Sequence, residues 1–247
     1  MILEGIVIKE RPFGEYDKFI DVLTHENGII EIFVKGARRI NGKSSSSTQL
    51  FAYSKFCIQL RRDKYRLDSV EPICIFYNLR NNIEKLSVAS YFADVLGYSV
   101  PSQAENDDIL RLFLNTLHFL ETNKRTPVFL KSLFELRLMS DIGMMPNIIA
   151  CKSCGCYEPQ NIVFDISDGH FLCEDCCDEK ISEAQMRANL PVLNAVRHIV
   201  LSDLNRLYNF KISDETQAVL SRFAERYLIT HMERNFKTLD FYKSVKN

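Results

Sequence analysis

Residues Gly5–Arg39 read GIVIKERPFGEYDKFIDVLTHENGIIEIFVKGARR and contain three short apolar or alternating runs, at Gly5–Glu10, Phe19–Thr24 and Ile29–Gly36. Runs of this length, separated by turn-forming residues, are typical of β-strands. Asn27-Gly28 lies between the second and third runs, and both residues tolerate a positive φ. The segment therefore predicts three consecutive strands, the last two joined by a tight hairpin turn.

Two further strand-like runs follow, at Ser54–Leu60 and Tyr65–Phe76, and the polar turn Arg61–Lys64 separates them. About five strands within roughly the first 75 residues predict a small closed or partly closed barrel. The long connection Gly36–Leu50 breaks this pattern, because it combines basic residues with a serine run that favours neither helix nor strand. We expect this connection to be a mobile basic loop.

From about Leu79 the spacing of apolar residues changes to that of helices. Two sets recur at intervals of three and four residues: Ile109, Leu110, Phe113, Leu114, Leu117 and Leu120 in the first, and Phe129, Leu130, Leu133, Phe134, Leu136 and Leu138 in the second. Gly143 and Pro146 are expected to end the second helix.

Helical spacing resumes near Ser182, is interrupted at Pro191 and returns in a last helix over Asp214–Asn235. Ser213 is a suitable N-cap for that helix, because a serine hydroxyl can accept a hydrogen bond from an unpaired backbone N–H of the first turn. The second half of the chain is therefore predicted to be mainly helical.

These patterns predict a β domain at residues 1–78 and a helical domain at residues 79–247, with a cysteine-rich insert at about residues 148–180. The expected fold class is α+β, because the strands and the helices occupy separate parts of the chain.

The insert contains the most specific local motif. Six of the eight cysteines fall between residues 151 and 177, and four of them form two C-x2-C pairs separated by 18 residues: Cys151, Cys154, Cys173 and Cys176. This is the spacing of two zinc knuckles that close on one ion, and disulfides are disfavoured in the cytoplasm. We predict a structural Zn²⁺ held by these four thiolates, with a short hairpin between the pairs.

Two extra thiols leave the ligand set open. Cys156 and Cys177 could each replace Cys154 or Cys176, and the spacing does not decide between them. His170 is also close in sequence, but four cysteines already fill a tetrahedral shell. We therefore expect His170 at a turn or surface position.

The composition is that of a soluble globular protein. The 247 residues include 31 basic and 32 acidic side chains, for a net charge of −1, and 46% are hydrophobic. Glu4 interrupts the apolar start too early for a secretory segment, and no run of about 18 apolar residues predicts a membrane span. We expect a cytoplasmic protein that does not bind a membrane. Motifs of the G-x-S-x-G and H-E-x-x-H type are absent, and the closed cysteine shell has no position for a reactive water, so we do not expect an enzyme.

The charge is unevenly distributed. Between Lys35 and Arg66 there are nine basic residues and one acidic residue, so the rest of the chain is acidic. Such a segment can attract a polyanion locally while the acidic remainder limits indiscriminate association. A solvated pair of strands with a basic loop would have the same composition, so the charge pattern alone leaves both interpretations open.

Three segments resemble the beginning, middle and end of the RecO family of bacterial DNA repair proteins. They are Gly5–Arg39, FELRLMSDIGMMPNIIACKSCG at Phe134–Gly155 and RYLITHMERNFKTLDFY at Arg226–Tyr242. The resemblance spans nearly the whole chain, and the GE-x-D and KGARR elements of the first segment are fairly specific. It implies an N-terminal OB-fold β-barrel, an α-helical domain and, as in many members, a zinc module.

The resemblance also implies a function. Members of this family bind single- and double-stranded DNA, anneal complementary strands and act with RecR to load RecA onto strands coated by single-strand-binding protein (SSB). The expected role is therefore that of a non-enzymatic mediator of DNA repair and homologous recombination, associated with the nucleoid. The acidic C-terminal tail of SSB is an expected partner, and the helices around Lys124, Arg125 and Lys131 offer positive charge for it.

OB-folds that bind single strands combine a positive groove with aromatic rings that stack on bases. We expect eight basic residues to contact phosphates: Lys35, Arg38, Arg39, Lys43, Arg61, Arg62, Lys64 and Arg66. Tyr53 and Tyr65 lie next to polar residues and are expected to stack on bases. Phe33 and Phe56 alternate with apolar residues and are expected in the core.

A rival function keeps the same fold. Arg11 and Lys18 lie close to acidic residues and are expected in surface ion pairs, not at phosphates. In the rival function the basic segment is likewise a solvated surface, and the chain is a zinc-stabilised adaptor whose barrel docks protein instead of DNA. Retention on single-stranded DNA at about physiological salt distinguishes the two functions.

Overall fold

The computed structural model describes residues 1–39, 44–101, 107–178 and 180–246. Lys43, one of the predicted phosphate contacts, lies outside the described residues. The chain forms two compact units: the barrel unit, residues 1–123 and 236–247, and the cysteine unit, residues 124–235. The barrel unit therefore extends beyond residue 78, and the division of the chain at that residue stays a prediction.

Five strands form a closed barrel: β1 (Ile2–Phe13), β2 (Asp17–Thr24), β3 (Ile29–Val34), β4 (Ala52–Arg61) and β5 (Lys64–Ile75). Their order around the barrel is β1-β2-β3-β5-β4, and neighbours are antiparallel except for the parallel pair β3 and β5. A five-stranded barrel of this kind is OB-like. The predicted α+β fold with an N-terminal barrel is confirmed.

Period-two alternation decides which side chains fill the barrel. In β3, Ile30, Ile32 and Val34 are buried in the core, and the residues between them face outwards. Phe56 of β4 is fully buried, as expected. The expectation that Phe33 lies in the core is wrong: it occupies an outward position of β3 and is half-buried.

The described part of the Gly36–Leu50 connection contains some regular structure, and the expected mobility of this loop stays a prediction. Ser46–Thr48 forms a 3-10 helix, and Thr48 is fully buried. The buried ammonium of Lys18 donates to the Thr48 carbonyl at 2.8 Å and to Glu10 Oε2 at 2.7 Å. These bonds satisfy the buried charge and hold the serine run against the barrel.

The described residues contain six α-helices: α1 (Ile83–Ser99), α2 (Asp107–Glu121), α3 (Pro127–Asp141), α4 (Leu190–Leu201), α5 (Asp214–Met232) and α6 (Lys237–Val245). Helices α1, α2 and α6 belong to the barrel unit and α3 to α5 to the cysteine unit. The apolar spacing predicted α2 and α3 correctly. The helix predicted over Asp214–Asn235 is confirmed as α5, which ends at Met232 because Glu233 takes a φ of 50°. Helix α6 lies beyond the predicted range and was not predicted. No helix within the described ranges has the length and apolar content needed to cross a membrane.

A three-stranded antiparallel sheet in the cysteine unit has β6 (Asn161–Asp165) between β7 (His170–Cys173) and β8 (Gln185–Asn189). The β6–β7 pair is the hairpin expected between the cysteine pairs. The expectation that a helix resumes near Ser182 is wrong, because Gln185–Asn189 forms the strand β8 and pairs with β6. Pro191 lies in the first turn of α4 and so begins that helix, where a missing N–H has no cost.

The N-cap of α5 is confirmed and can be tested. Ser213 Oγ accepts a hydrogen bond from the Thr216 N–H at 3.2 Å. Replacing Ser213 by alanine leaves this N–H without its acceptor, so we expect the free energy of unfolding to fall by about 1 kcal/mol in denaturant titration. Ser213→Asp keeps an acceptor and is the matched control; equal losses in the two variants would contradict the prediction.

Candidate nucleic-acid interface and metal site

Three phenylalanine rings pack together on the outer side of β1, β2 and β3. The ring centroid of Phe13 lies 5.2 Å from that of Phe19 and 5.9 Å from that of Phe33. Phe19 and Phe33 are register partners with centroids 5.2 Å apart. Phe13 is 54% exposed at the end of β1, and the other two rings are half-buried. This aromatic cluster therefore lies at the surface of the barrel.

The β4–β5 hairpin places basic side chains beside these rings. Arg62 and Asp63 have φ values of 49° and 60°, the signature of a two-residue type I′ turn. Arg61 is the register partner of Lys64, and direct partners project from the same side of a sheet. Because alternate residues of a strand share a side, Arg66 joins Lys64 on that face.

The basic face of the hairpin meets the aromatic cluster. Lys64 Nζ lies 5.8 Å from the ring centroid of Phe19, and Arg66 Cζ lies 5.5 Å from that of Phe33, both within cation–π range. Four basic side chains line a cavity of about 480 Å³: Arg61, Arg62, Lys64 and Arg66. We call the combined surface the aromatic–basic face; it comprises Phe13, Phe19, Phe33, Arg61, Arg62, Lys64 and Arg66.

A second basic group, here called the basic turn, follows β3 and comprises the exposed residues Lys35, Arg38 and Arg39. The Arg38 N–H donates to the Tyr16 carbonyl at 2.9 Å, and Arg38 Nη1 donates to the Gly14 carbonyl at 3.3 Å. The Arg39 guanidinium lies 5.3 Å from the Tyr16 ring centroid. These contacts hold the basic turn against the loop between β1 and β2.

The two tyrosines predicted to stack on bases lie away from the aromatic–basic face. Tyr53 is at the other end of β4 from Arg61, and its hydroxyl donates to Glu4 Oε2 at 3.1 Å. Burial, followed by the hydrogen bond to Glu4, raises the pKa of Tyr53 to about 12. Tyr65 is half-buried and packs against the barrel core. The rings that accompany the basic side chains are phenylalanines instead.

Phe13 and Phe19 were not among the residues expected to contact DNA, although the sequence contained a signal that Phe19 faces outwards. Phe19 is two residues from Asp21 in β2, and Phe33 is two residues from Glu31 in β3. Because residues two apart share a face of a strand, each charged residue marks its phenylalanine as outward-facing. Phe33 had been expected in the core because it alternates with apolar residues of β3.

Ion pairs limit the aromatic–basic face on one side. Arg11 bridges Asp21 and Glu31, with N–O distances of 2.6 and 2.5 Å, as expected of a surface ion pair. Lys18 also pairs, with Glu10, but its side chain is buried and not at the surface as expected. One guanidinium cannot neutralise two carboxylates, so a phosphate chain would avoid Asp21 and Glu31.

The structure brings together the four cysteines of the two C-x2-C pairs. The Sγ atoms of Cys151, Cys154, Cys173 and Cys176 all lie within 4.8 Å of one another. Cys154 Sγ and Cys173 Sγ are 3.6 Å apart. A tetrahedral ion with metal–sulfur distances of about 2.3 Å requires sulfur–sulfur distances of about 3.8 Å. The cluster could therefore hold a metal ion.

Backbone N–H groups favour a thiolate at Cys151. The Cys173 N–H donates to Cys151 Sγ at 3.3 Å. Burial opposes ionisation of Cys151, but hydrogen bonds from the backbone N–H groups of Cys154 and Cys173 lower its pKa to about 6. Because thiolates and not thiols bind metals, this environment suits Cys151 as a ligand.

Arg197 of α4 positions the loop that carries the first cysteine pair. Its nearly buried guanidinium donates to the carbonyls of Ile148 at 2.8 Å, Ile149 at 2.7 Å and Tyr157 at 2.6 Å. It also lies 4.1 Å from the Tyr157 ring centroid. Arg197 therefore holds both ends of this loop, a role that no sequence motif indicated.

The two extra thiols lie outside the group of four. Within the described residues, the candidate metal cluster excludes Cys156 and Cys177. Cys156 is exposed, and Cys177 Sγ donates to the Glu174 carbonyl at 3.5 Å. His170 is also excluded, but the expectation of a turn or surface position is wrong, because it is buried at the start of β7 with Nδ1 3.4 Å from Lys152 Nζ.

The basic residues expected to receive an acidic peptide are already engaged. Lys131 is almost completely buried and pairs with Glu135 at 2.8 Å and Glu225 at 3.0 Å. Arg125 Nε and Nη2 donate to the Tyr208 carbonyl at 3.1 and 2.5 Å. The expected surface role of Lys131 is therefore wrong, because its ammonium is enclosed between α3 and α5.

Comparison with known proteins identifies the family. The models Recombination protein O N terminal and Recombination protein O C terminal match residues 1–76 and 80–240. The chain is 31% identical to the DNA repair protein RecO of Acetivibrio thermocellus, over 98% of this chain and 95% of the relative. It is 29% identical to the DNA repair protein RecO of Symbiobacterium thermophilum, over 99% and 97%. The chain therefore belongs to the RecO family of DNA repair and recombination proteins, which are not enzymes.

Proposed function

We propose that the protein binds single- and double-stranded DNA, without reading base sequence, through the aromatic–basic face and the basic turn. The observation that carries this proposal is the gathering of basic side chains on the β2–β3 side of the barrel and near its β1–β2 and β4–β5 loops. OB-folds bind oligonucleotides on this side and with these two loops.

The electrostatics support a phosphate contact that is independent of sequence. The four residues that line the cavity at the β4–β5 hairpin are all basic, so the cavity attracts anions, and Asp63 in the same turn offsets only one of the four charges. Contacts between Lys or Arg and the phosphate backbone position a protein on DNA but carry no base information. The acidic remainder of the chain, which brings the net charge to −1, limits binding away from this surface.

Strand annealing follows from the same charges. Two complementary strands repel each other through their phosphates, and a basic surface that neutralises part of this charge brings them together more readily. Within the recombination role of the family, the protein would act with RecR to load RecA onto strands coated by SSB, whose acidic C-terminal tail is a further expected partner. The proposed location is the cytoplasm, at the nucleoid.

The ion proposed for the cysteine cluster is Zn²⁺, because four thiolates in a tetrahedral arrangement favour zinc over harder divalent ions. Cys151, Cys154, Cys173 and Cys176 would fill its coordination shell, which leaves no position for a reacting water. The ion would therefore be structural and would join the loop before β6 to the end of β7.

Charge reversal tests the DNA interface. In Arg61→Glu/Lys64→Glu, two cations of the cavity become anions, and we expect the Kd for single- and double-stranded DNA to rise roughly 10-fold or more at moderate salt. The slope of log Kd against log salt should fall by about one for each lost phosphate contact. Arg38→Glu/Arg39→Glu should act in the same way through the basic turn. Fluorescence anisotropy with labelled oligonucleotides across a salt series measures both quantities.

Lys55→Glu is the matched control, because Lys55 is an exposed lysine of β4 outside both basic groups. It reverses one charge where each double variant reverses two, so a nonspecific effect of net charge would appear in all three variants and would be about half as large in Lys55→Glu. Unchanged DNA affinity in both double variants would contradict the proposed interface. Absence of DNA binding by the unmodified protein at physiological salt would favour the protein-docking adaptor instead.

A further inference from the structure

The aromatic cluster is not part of the barrel core. The core of β2 and β3 is built from the residues that alternate with Phe19 and Phe33, among them Ile20 and Ile32. Burial of large apolar side chains is the ordinary outcome of folding, yet Phe13 exposes 54% of its surface beside two further rings. A contiguous apolar group at the surface, rimmed by charge, is typical of a binding site.

The arrangement of the rings leaves aromatic surface available. Phe13 meets Phe19 at an interplanar angle of 78° and Phe33 at 83°, so its contacts with both are edge-to-face. In an edge-to-face pair the edge of one ring lies against the face of the other, so the surface open to a ligand is the part that solvent reaches, most of it on Phe13. A flat ligand ring can therefore stack on this exposed side of the cluster, next to the cations that lie over Phe19 and Phe33.

The neighbouring cations specify the ligand. Lys64 and Arg66 contact the rings of Phe19 and Phe33 and also line the cavity at the hairpin. A ligand that fills both parts must carry a flat apolar ring next to an anionic group. A nucleotide within an unpaired DNA strand has this chemistry, because each base is joined through its sugar to a neighbouring phosphate.

We infer that Phe13, Phe19 and Phe33 are a base-stacking platform, and that Lys64 and Arg66 hold the adjoining phosphates, so that this face prefers single-stranded DNA. The inference rests on the proposed DNA-binding function and deepens it. Bases in a duplex are stacked on one another and cannot lie on the platform, whereas the phosphates of both DNA forms can reach the cations. The rings thus supply strand preference, and the cations supply affinity for either form.

Removal of a ring should therefore weaken binding to single-stranded DNA but not to the duplex. In Phe13→Ala we expect the Kd for a single-stranded oligonucleotide of about 16 nucleotides to rise roughly 5-fold or more, since each stacked base contributes about 5- to 150-fold. The Kd for the matching duplex should stay within about twofold, and the salt slope should not change, because no phosphate contact is lost. Quenching of 2-aminopurine placed in the single strand reports stacking directly and should decrease in the variant.

Two further variants make the result decisive. Phe19→Leu/Phe33→Leu keeps apolar volume at half-buried positions and removes only the aromatic faces, so it tests the platform with little risk to folding. Tyr77→Ala removes an aromatic side chain that is 52% exposed elsewhere in the barrel unit, and should bind both DNA forms as the unmodified protein does. The thermal unfolding midpoint of each variant identifies any loss of affinity that comes from unfolding.

The outcomes distinguish this inference from the proposed function. Wild-type affinity for single strands in both phenylalanine variants, or an equal loss for single strands and duplexes, would overturn the platform. If at the same time Arg61→Glu/Lys64→Glu still weakened binding to both forms, the DNA-binding function would stand without the platform. Loss of single-strand affinity alone, together with loss of 2-aminopurine quenching, is the expected result.

Discussion

Replacing Cys173 by serine is expected to abolish metal binding and unfold the loops that carry the cysteine pairs. A serine hydroxyl cannot replace the thiolate, and a structural zinc site contributes about 10–16 kcal/mol of apparent binding free energy in small zinc domains at neutral pH. A domain as a whole is stable by only about 5–15 kcal/mol. Loss of the ion therefore removes an amount comparable to the entire stability of the cysteine unit.

Metal analysis and thermal unfolding check this expectation. The purified protein should contain one zinc per chain, Cys173→Ser should contain none, and a strong chelator should reproduce the unfolding of the variant. Cys156→Ser is the matched control, because the exposed Cys156 thiol lies outside the cluster. Loss of zinc from Cys156→Ser, or retention of one zinc by Cys173→Ser, would contradict the assigned ligand set.

Cys173→Ser also tests whether DNA binding is independent of the metal site. The aromatic–basic face and the basic turn belong to the barrel unit, and the four cysteines belong to the cysteine unit. Cys173→Ser should therefore unfold in two steps and keep DNA affinity within about threefold at temperatures where the barrel unit is folded. A loss of DNA binding equal to that of the charge-reversal variants would show that the cysteine unit takes part in the interface.

The features that were predictable from the sequence are those set by local physical rules. The five strands follow from alternation and turn chemistry, and the turn at Arg61–Lys64 and the N-cap at Ser213 follow from the conformational preferences of single residues. The cysteine cluster was predictable because tetrahedral coordination restricts the spacing of the ligands. Each of these rules acts over a few residues and is therefore visible in the printed sequence.

The features that were missed depend on contacts between distant parts of the chain. β8 has no strong alternation and is a strand because Gln185–Asn189 pairs with β6. Arg197 acts on carbonyls about 40 to 50 residues earlier in the chain, and backbone acceptors have no sequence signature. The position of Phe13 beside Phe33 likewise requires β1, β2 and β3 to be side by side. Tertiary contacts of this kind override or supplement local propensity.

Lys131 shows how a charge alone can mislead. Its charge suggested a solvated position, but the stretch Phe129–Met139 of α3 is buried on nearly all sides. A helix that is buried all round must place a lysine inside the protein, where only a carboxylate can compensate the charge. Glu135, four residues later on the same helix, was the available sign of this ion pair.

Replacing Lys131 by methionine is expected to lower the free energy of unfolding by about 3–5 kcal/mol, because it leaves buried carboxylates without their cation. Glu135 is completely buried, Glu225 is 21% exposed, and both contact Lys131 Nζ. Denaturant titration measures the loss. Lys211→Met, which removes the charge of an exposed lysine in the same unit, should change stability by no more than about 0.5 kcal/mol.

A second substitution tests whether the loss comes from the uncompensated charge. In Lys131→Met/Glu135→Met, the fully buried carboxylate is removed as well, and only the partly exposed Glu225 remains. Replacement of a buried ion pair by apolar residues of similar volume is often neutral, so we expect the double variant to recover most of the stability. A double variant as unstable as the sum of two independent core changes would show that packing, and not charge, explains the effect of Lys131.

The pH dependence of unfolding supplies an independent check. Burial by itself lowers the pKa of Lys131, but Glu135 and Glu225 outweigh it and hold the pKa above its ordinary value. A lysine whose pKa is raised in the folded state stabilises the protein fully below the unfolded-state pKa of about 10.4, and this stabilisation is lost as the pH rises through the folded-state pKa. The unmodified protein should therefore lose more stability than Lys131→Met between neutral pH and about pH 11, and parallel curves would contradict the ion-pair assignment.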